Sequence, residues 1–146
     1  QQAALEKKLL LLETILHAVD ISNPCKPRPI MLRWTEKVLA EFWAQGDEEK
    51  ALGIEVSPLC DRESGKQAVP KGQIGFINFV IRPFYLPIAE LIPEAKEAVQ
   101  ELDKNLAFWR DMDGQQASYD ALFDPPRPPT RDAWRDDDAA AAAGER

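Results

Sequence analysis

Histidine is nearly absent from this sequence: His17 is the only one among 146 residues, and Cys25 and Cys60 are the only cysteines. That shortage excludes a self-contained zinc finger, a histidine-rich metal site and a two-histidine acid–base pair. Two cysteines do not make a disulfide framework, so a reduced, cytoplasmic setting is expected. Basic charge is also scarce, with 18 Lys and Arg against 25 Asp and Glu and a net charge of −7. Without clustered cations to neutralise phosphates, no nucleic-acid partner and no anionic-membrane binding are expected. The chain opens on Gln1 with no charged region leading into an apolar one, which reads as a piece of something longer rather than as a leader.

What is present is helical periodicity. Leu5, Leu9, Leu12 and Leu16 recur at spacings of four, three and four and predict an amphipathic helix over Ala3–Val19. Pro24, Pro27 and Pro29 predict a rigid loop over Ile21–Pro29, because proline lacks the helix donor and restricts its predecessor. Trp34, Val38 and Phe42 restart the stripe over Ile30–Gln45. Gly46 and Asp47 then predict a stop and a fresh N-cap for a short helix through Lys50. Residues 54–71 lack periodicity and predict a long loop, with Asp61, Arg62 and Glu63 in solvent. From Gly72 to Ile92 the chain is apolar nearly all round. Arg82 alone would cost about 2.5–3.5 kcal/mol at a bilayer centre, so no membrane span is expected, and a buried core helix kinked near Pro83 is predicted instead. Pro93 opens a further helix, whose Val99, Leu102, Leu106 and Trp109 share one face. The expected fold class is all-α, with one compact unit over residues 1–113 and a disordered tail over 114–146, rich in Pro, Asp and Ala.

The residues that could carry chemistry fall in two groups. His17, Asp20 and Asn23 stand three apart at the end of the first helix. His17 reads as a satisfied structural histidine or as part of a site. Asp20 is a helix-terminal carboxylate at the unfavourable pole of the dipole, which a nearby cation would explain; bonding to the backbone of Ser22 or Asn23 is the plainer alternative. Gln73 and Phe76 share a face of the apolar helix. A buried amide there needs partners, since leaving it unsatisfied costs about 1–3 kcal/mol, and either the protein or a ligand supplies them. Phe76 by itself reads as core packing before it reads as a ligand contact.

The blocks Leu16-His17-Ala18-Val19-Asp20-Ile21-Ser22-Asn23-Pro24, Arg33-Trp34-Thr35, Glu41-Phe42, Gln45-Gly46-Asp47, Ser57-Pro58-Leu59-Cys60-Asp61-Arg62 and Gln73-Ile74-Gly75-Phe76-Ile77, in this order over roughly residues 9–112, carry a resemblance. The sequence resembles the C-terminal part of the catalytic domain of the class I 3′,5′-cyclic nucleotide phosphodiesterases. The resemblance implies an all-helical hydrolase that cleaves cAMP or cGMP to the 5′-nucleotide and terminates cyclic-nucleotide signalling. It also implies a pair of metals, zinc in the tighter site and magnesium or manganese in the other. Asp20 matches a metal-ligating aspartate of that family. Gln73 matches the glutamine that bonds the purine edge, and Phe76 the aromatic that covers the purine face. Val38 and Ile21 match positions lining the other side of the clamp, while Asn23, Trp34 and Thr35 match pocket positions. His17 matches a motif histidine in a supporting role.

The resemblance also implies what this chain lacks. The family's other metal ligands, and the histidine that protonates the leaving group, lie upstream in HD-type motifs that no segment here carries. The expected partners are therefore a cyclic nucleotide and the remainder of its own catalytic domain, with a homodimer left open. The fragment is expected to be inactive alone. A non-catalytic helical module that keeps the purine pocket is the alternative. Met31 stands where relatives often carry an aromatic, and the Gln73 amide can present either edge, so the choice between cAMP and cGMP stays open.

Overall fold

The computed structural model describes residues 2–123, and among them every regular element is helical, with no strand. Helix α1 (Gln2–Asp20) is followed by a 3-10 turn at Asn23–Cys25 and by α2 (Arg28–Ala51). Next come α3 (Arg62–Phe76), a π-helical turn at Ile77–Ile81 and α4 (Arg82–Leu91). A 3-10 turn at Pro93–Ala95 leads into α5 (Lys96–Gly114), and α6 (Tyr119–Phe123) ends the described chain.

Several boundaries differ from the sequence expectations. Pro29 lies inside the first turn of α2, where a missing N–H costs nothing, so the proline loop ends two residues early. Helix α2 then runs straight through Gly46 and Asp47. Gly46 is no terminator: a Cβ there would stand 1.9 Å from the Cys60 carbonyl oxygen, so the glycine admits the returning chain. That return is tied down by Glu49, whose carboxylate accepts from the Ser57 N–H and hydroxyl, each at 2.7 Å.

The predicted loop over 54–71 is half helix. Asp61 caps α3 by accepting from the Ser64 N–H at 3.2 Å and its hydroxyl at 2.5 Å, and it pairs with Lys50 at 2.6 Å. Arg62 pairs with Asp47 at 2.6 Å. Pro70 sits within the helix and is buried, so tertiary packing outweighs the hydrogen bond it forfeits. The irregularity expected near Pro83 falls just upstream, where the Arg82 N–H reaches back five residues to the Ile77 carbonyl. Pro83 cannot donate to the carbonyl of Phe79, and the widened turn absorbs that mismatch.

The run Arg62–Leu91 is long and apolar enough to cross a membrane by length and composition. Here only one face of its second half is buried: Ile77, Ile81 and Tyr85 join Leu102, Leu106 and Trp109 of α5 in the core. Phe79 is 85% exposed, so the expectation of a helix buried all round does not hold. Helix α1 departs further. Leu5, Leu9, Leu12 and Leu16 are all exposed, and only Ala18 near its end is buried. No described element packs on the leucine face.

The expected disorder from residue 114 does not apply to α6. Phe123 is buried, the Tyr119 ring stands edge-on to Trp43 at 4.7 Å between centroids, and Lys66 pairs with Asp120 at 2.9 Å. Two aromatics and an ion pair anchor a segment that composition alone marks as polar. Residues 124–146 of the expected tail lie outside the described residues.

Candidate functional site

The end of α1, the 3-10 turn, α2 and α3 enclose a cavity of about 450 Å³. That size suits a small ligand of nucleotide scale. Its walls are apolar. Helix α2 supplies Thr35, Val38, Leu39 and Phe42 from one face, at i, i+3, i+4 and i+7. Helix α3 supplies Val69, Gly72, Gln73 and Phe76 from another, and the α1–α2 link supplies Asp20, Ile21 and Asn23.

The structure thus brings together Asp20, Ile21, Asn23, Thr35, Val38, Gln73 and Phe76 around one space, although Gln73 and Asp20 are 53 positions apart in the chain. Trp34 is not among them. It is 55% exposed on the other side of α2, where it borders a smaller cleft with Ile30, Arg33 and Lys37. A neighbour of Thr35 along a helix points about 100° away from it, and here that turn carries Trp34 off the cavity wall. His17 also stays outside. It is exposed and meets the Phe84 ring edge-on at 5.1 Å. Leu39, Phe42, Trp43, Leu59 and Val69 also line the cavity, although the sequence assigned none of them a site role. For the two on α2 nearest Thr35, the helical spacing 35, 39, 42 was the available signal.

The polar groups in this apolar setting are few. The Asn23 amide nitrogen donates to Thr35 Oγ1 at 3.4 Å, and the Thr35 hydroxyl donates to Met31 Sδ at 3.6 Å. Asn23 Oδ1 and Trp43 Nε1 are buried and have no partner among the described residues. Gln73 is half-buried, and no described residue hydrogen-bonds its amide. An amide on an apolar wall with its donors and acceptor unused can pair with a planar heterocycle edge, while Phe76, 37% exposed, offers a ring face beside it. The Asp20 carboxylate is exposed at the cavity edge and has no ion-pair partner among the described residues. It suits one ligand position on a divalent cation. Among the described residues, no group of three or more His, Cys, Asp or Glu side chains stands close enough to hold a metal.

Two thiols flank the region. Cys25, buried beside Tyr85, has its pKa pushed up to about 11 by burial. Burial likewise raises that of Cys60. Neither is a nucleophile at neutral pH.

Comparison with known proteins bears on this arrangement. The model of the 3′5′-cyclic nucleotide phosphodiesterase family matches residues 1–102. The "Probable 3′,5′-cyclic-AMP phosphodiesterase pde-4" of Caenorhabditis elegans is 38% identical over 104 residues, 70% of this chain and 15% of that protein. The 3′,5′-cyclic-AMP phosphodiesterase 4C of Rattus norvegicus is 36% identical over 104 residues, 70% of this chain and 19% of its own. A solved structure described as LmjPDEB1 in complex with IBMX superposes with a TM-score of 0.66 at 38% identity, covering 72% of this chain and 32% of that one. The chain therefore spans less than a fifth of the length of these two relatives. With a family match over more than two thirds of its length, carried by the helices that build the cavity, the chain belongs to the 3′,5′-cyclic nucleotide phosphodiesterase family.

Proposed function

We propose that this chain is the nucleotide-clamping portion of a phosphodiesterase catalytic domain that hydrolyses cAMP or cGMP to the 5′-nucleotide. The observation that carries this is the meeting of Gln73 and Phe76 from α3 with Val38 from α2 and Ile21 from the link around one apolar cavity. Gln73 pairs with the purine edge, and Phe76 covers its face against Val38 and Ile21. Expelling water from this slot strengthens the amide pairing, because polar contacts gain from a low-dielectric surrounding. Asn23 and Thr35, linked to each other, border the same space.

Asp20 is the carboxylate this chain contributes to a zinc and magnesium (or manganese) pair whose other ligands come from the remainder of the catalytic domain. When bound, such a pair acidifies a water and neutralises the phosphoryl oxygens. The exposed leucine face of α1, beside which Asp20 lies, is the surface on which that remainder packs.

The test compares the 146-residue chain with a form extended upstream to the full catalytic domain, following release of 5′-AMP from cAMP in the presence of Zn2+ and Mg2+. Turnover is expected only from the extended form. The alternative is a module that keeps the purine pocket and binds nucleotide without hydrolysing it. Binding of cAMP with no turnover in the extended form would select that one.

A further inference from the structure

The link between α1 and α2 is where Asp20, Ile21 and Asn23 enter the cavity, and its conformation is not secured by its own backbone alone. The Ile21 N–H bonds the His17 carbonyl and the Ser22 N–H bonds Val19; the Cys25 and Lys26 N–H groups bond Ser22 and Asn23. The carbonyls of Ala18, Pro24 and Lys26 are instead met by side chains from distant helices. The Tyr85 hydroxyl on α4 donates to the Ala18 oxygen at 2.5 Å. On α5, the Asn105 amide nitrogen donates to the Pro24 oxygen at 2.9 Å and to the Lys26 oxygen at 2.8 Å. Both side chains are buried, Asn105 to 1% exposure and Tyr85 to 6%. Neither lines the cavity.

We propose that Tyr85 and Asn105 are positioning residues for the nucleotide site, bracing the Ala18–Lys26 segment on both sides of Asp20, Ile21 and Asn23. The consequence for the nucleotide rests on the functional proposal above; the brace itself does not. Carbonyls near a helix end need donors from elsewhere, and an Asn side chain buried in an apolar helix interface is costly unless its polar atoms are used. Here the two needs answer each other. Because the braces reach from α4 and α5, the place of Asp20 relative to α3 is set by the packing of the core, not by the proline-rich link. The effect is preorganisation, which holds binding groups in place before the ligand arrives.

The test uses Tyr85→Phe and Asn105→Leu, with Leu102→Ala as a control that weakens the core and leaves both side-chain bonds to the link in place. Hydrogen exchange of the amides of residues 20–26 is read in the 146-residue chain, and KM and kcat for cAMP in the extended form. Each brace variant is expected to speed exchange in 20–26 about tenfold, the scale of one lost hydrogen bond, and to raise KM for cAMP. Leu102→Ala is expected to lower the melting temperature at least as much while leaving both readouts near the parent's. Unchanged exchange in 20–26, or an equal change in Leu102→Ala, overturns the brace. If Asn105→Leu does not fold, Tyr85→Phe, which removes one oxygen, still decides it. Faster exchange in an extended form that neither binds nor cleaves cAMP would sink the functional proposal and leave the brace standing.

Discussion

Gly65 on α3 lies against the indole of Trp43 on α2 so closely that a Cβ at the glycine would stand 2.7 Å from Trp43 Nε1. Trp43 cannot swing aside: it is 1% exposed, with the Tyr119 ring at 4.7 Å and the Arg62 guanidinium 5.5 Å from its ring. Both residues line the cavity, so this contact fixes how near α3 approaches α2 along the wall that carries Gln73 and Phe76.

Gly65→Ala therefore sets two effects against each other. Helix propensity favours alanine by up to about 1 kcal/mol, whereas overpacking a rigid contact costs about 1–3 kcal/mol. A lower melting temperature by circular dichroism is expected. Gly72→Ala, whose Cβ would meet nothing within 4 Å, is expected to raise it. A Gly65→Ala protein that melts at or above the parent would show that the helices can separate freely.

Asp61 predicts an acid-sensitive segment. Hydrogen bonds from Lys50 first, then from Ser64, hold its carboxyl well below the usual carboxylate range. A depressed folded value contributes stability that is complete above the unfolded value of about 3.9 and is lost as pH falls from there toward the folded value. In parallel acid titrations, the stability difference between the parent and Asp61→Asn should shrink below about pH 4. A difference that persists unchanged at lower pH would refute the assignment.

Cys25 predicts the opposite limit. Its thiol is raised from 9.0 to about 11 by burial, so the folded state favours the protonated form. That contribution is intact below the unfolded value and is lost as pH rises through the folded one. Stability should fall between pH 9.0 and about 11, and Cys25→Ala should flatten that decline. Alkylation by iodoacetamide at pH 8 should require unfolding; rapid modification of the native chain would contradict the burial.

Gln73 and Asp20 predict different kinetic signatures in the extended form. Gln73→Ala removes ground-state pairing to the purine and should chiefly raise KM for cAMP, whereas Asp20→Ala should chiefly lower kcat, by orders of magnitude. Near-normal kcat in Asp20→Ala would remove it from the metal shell. An unchanged KM in Gln73→Ala would return the glutamine to a structural role.

The helical class was legible because Leu5, Leu9, Leu12 and Leu16, like Val99, Leu102, Leu106 and Trp109, repeat at a spacing only a helix turns to one side. Most of the candidate site was legible too, as seven of the nine residues singled out by motif resemblance line the cavity. Trp34 and His17 do not, because adjacency in a motif says nothing about which way a helix presents each neighbour. Gly46 misled as a stop, and Gly65 and Pro70 lie in the stretch expected to be a loop, for a shared reason. Each is a local helix breaker, and each lies within a helix here because a tertiary neighbour requires it or outweighs its cost. Nothing in residues 115–123 announces that Tyr119 and Phe123 have a partner, since Trp43 lies more than seventy positions away.

By itself, the sequence determined the local terms: the period of the helices and the identity of the amide, aromatic and carboxylate offered to a ligand. Those depend on neighbours within a turn or two. Only the tertiary structure decided that Gln73 faces Ile21 and Asn23, that Trp34 turns away, and that Tyr85 and Asn105 hold the Asp20 link from behind. These follow from which helix faces bury together, a property of the whole core that no short window of sequence contains.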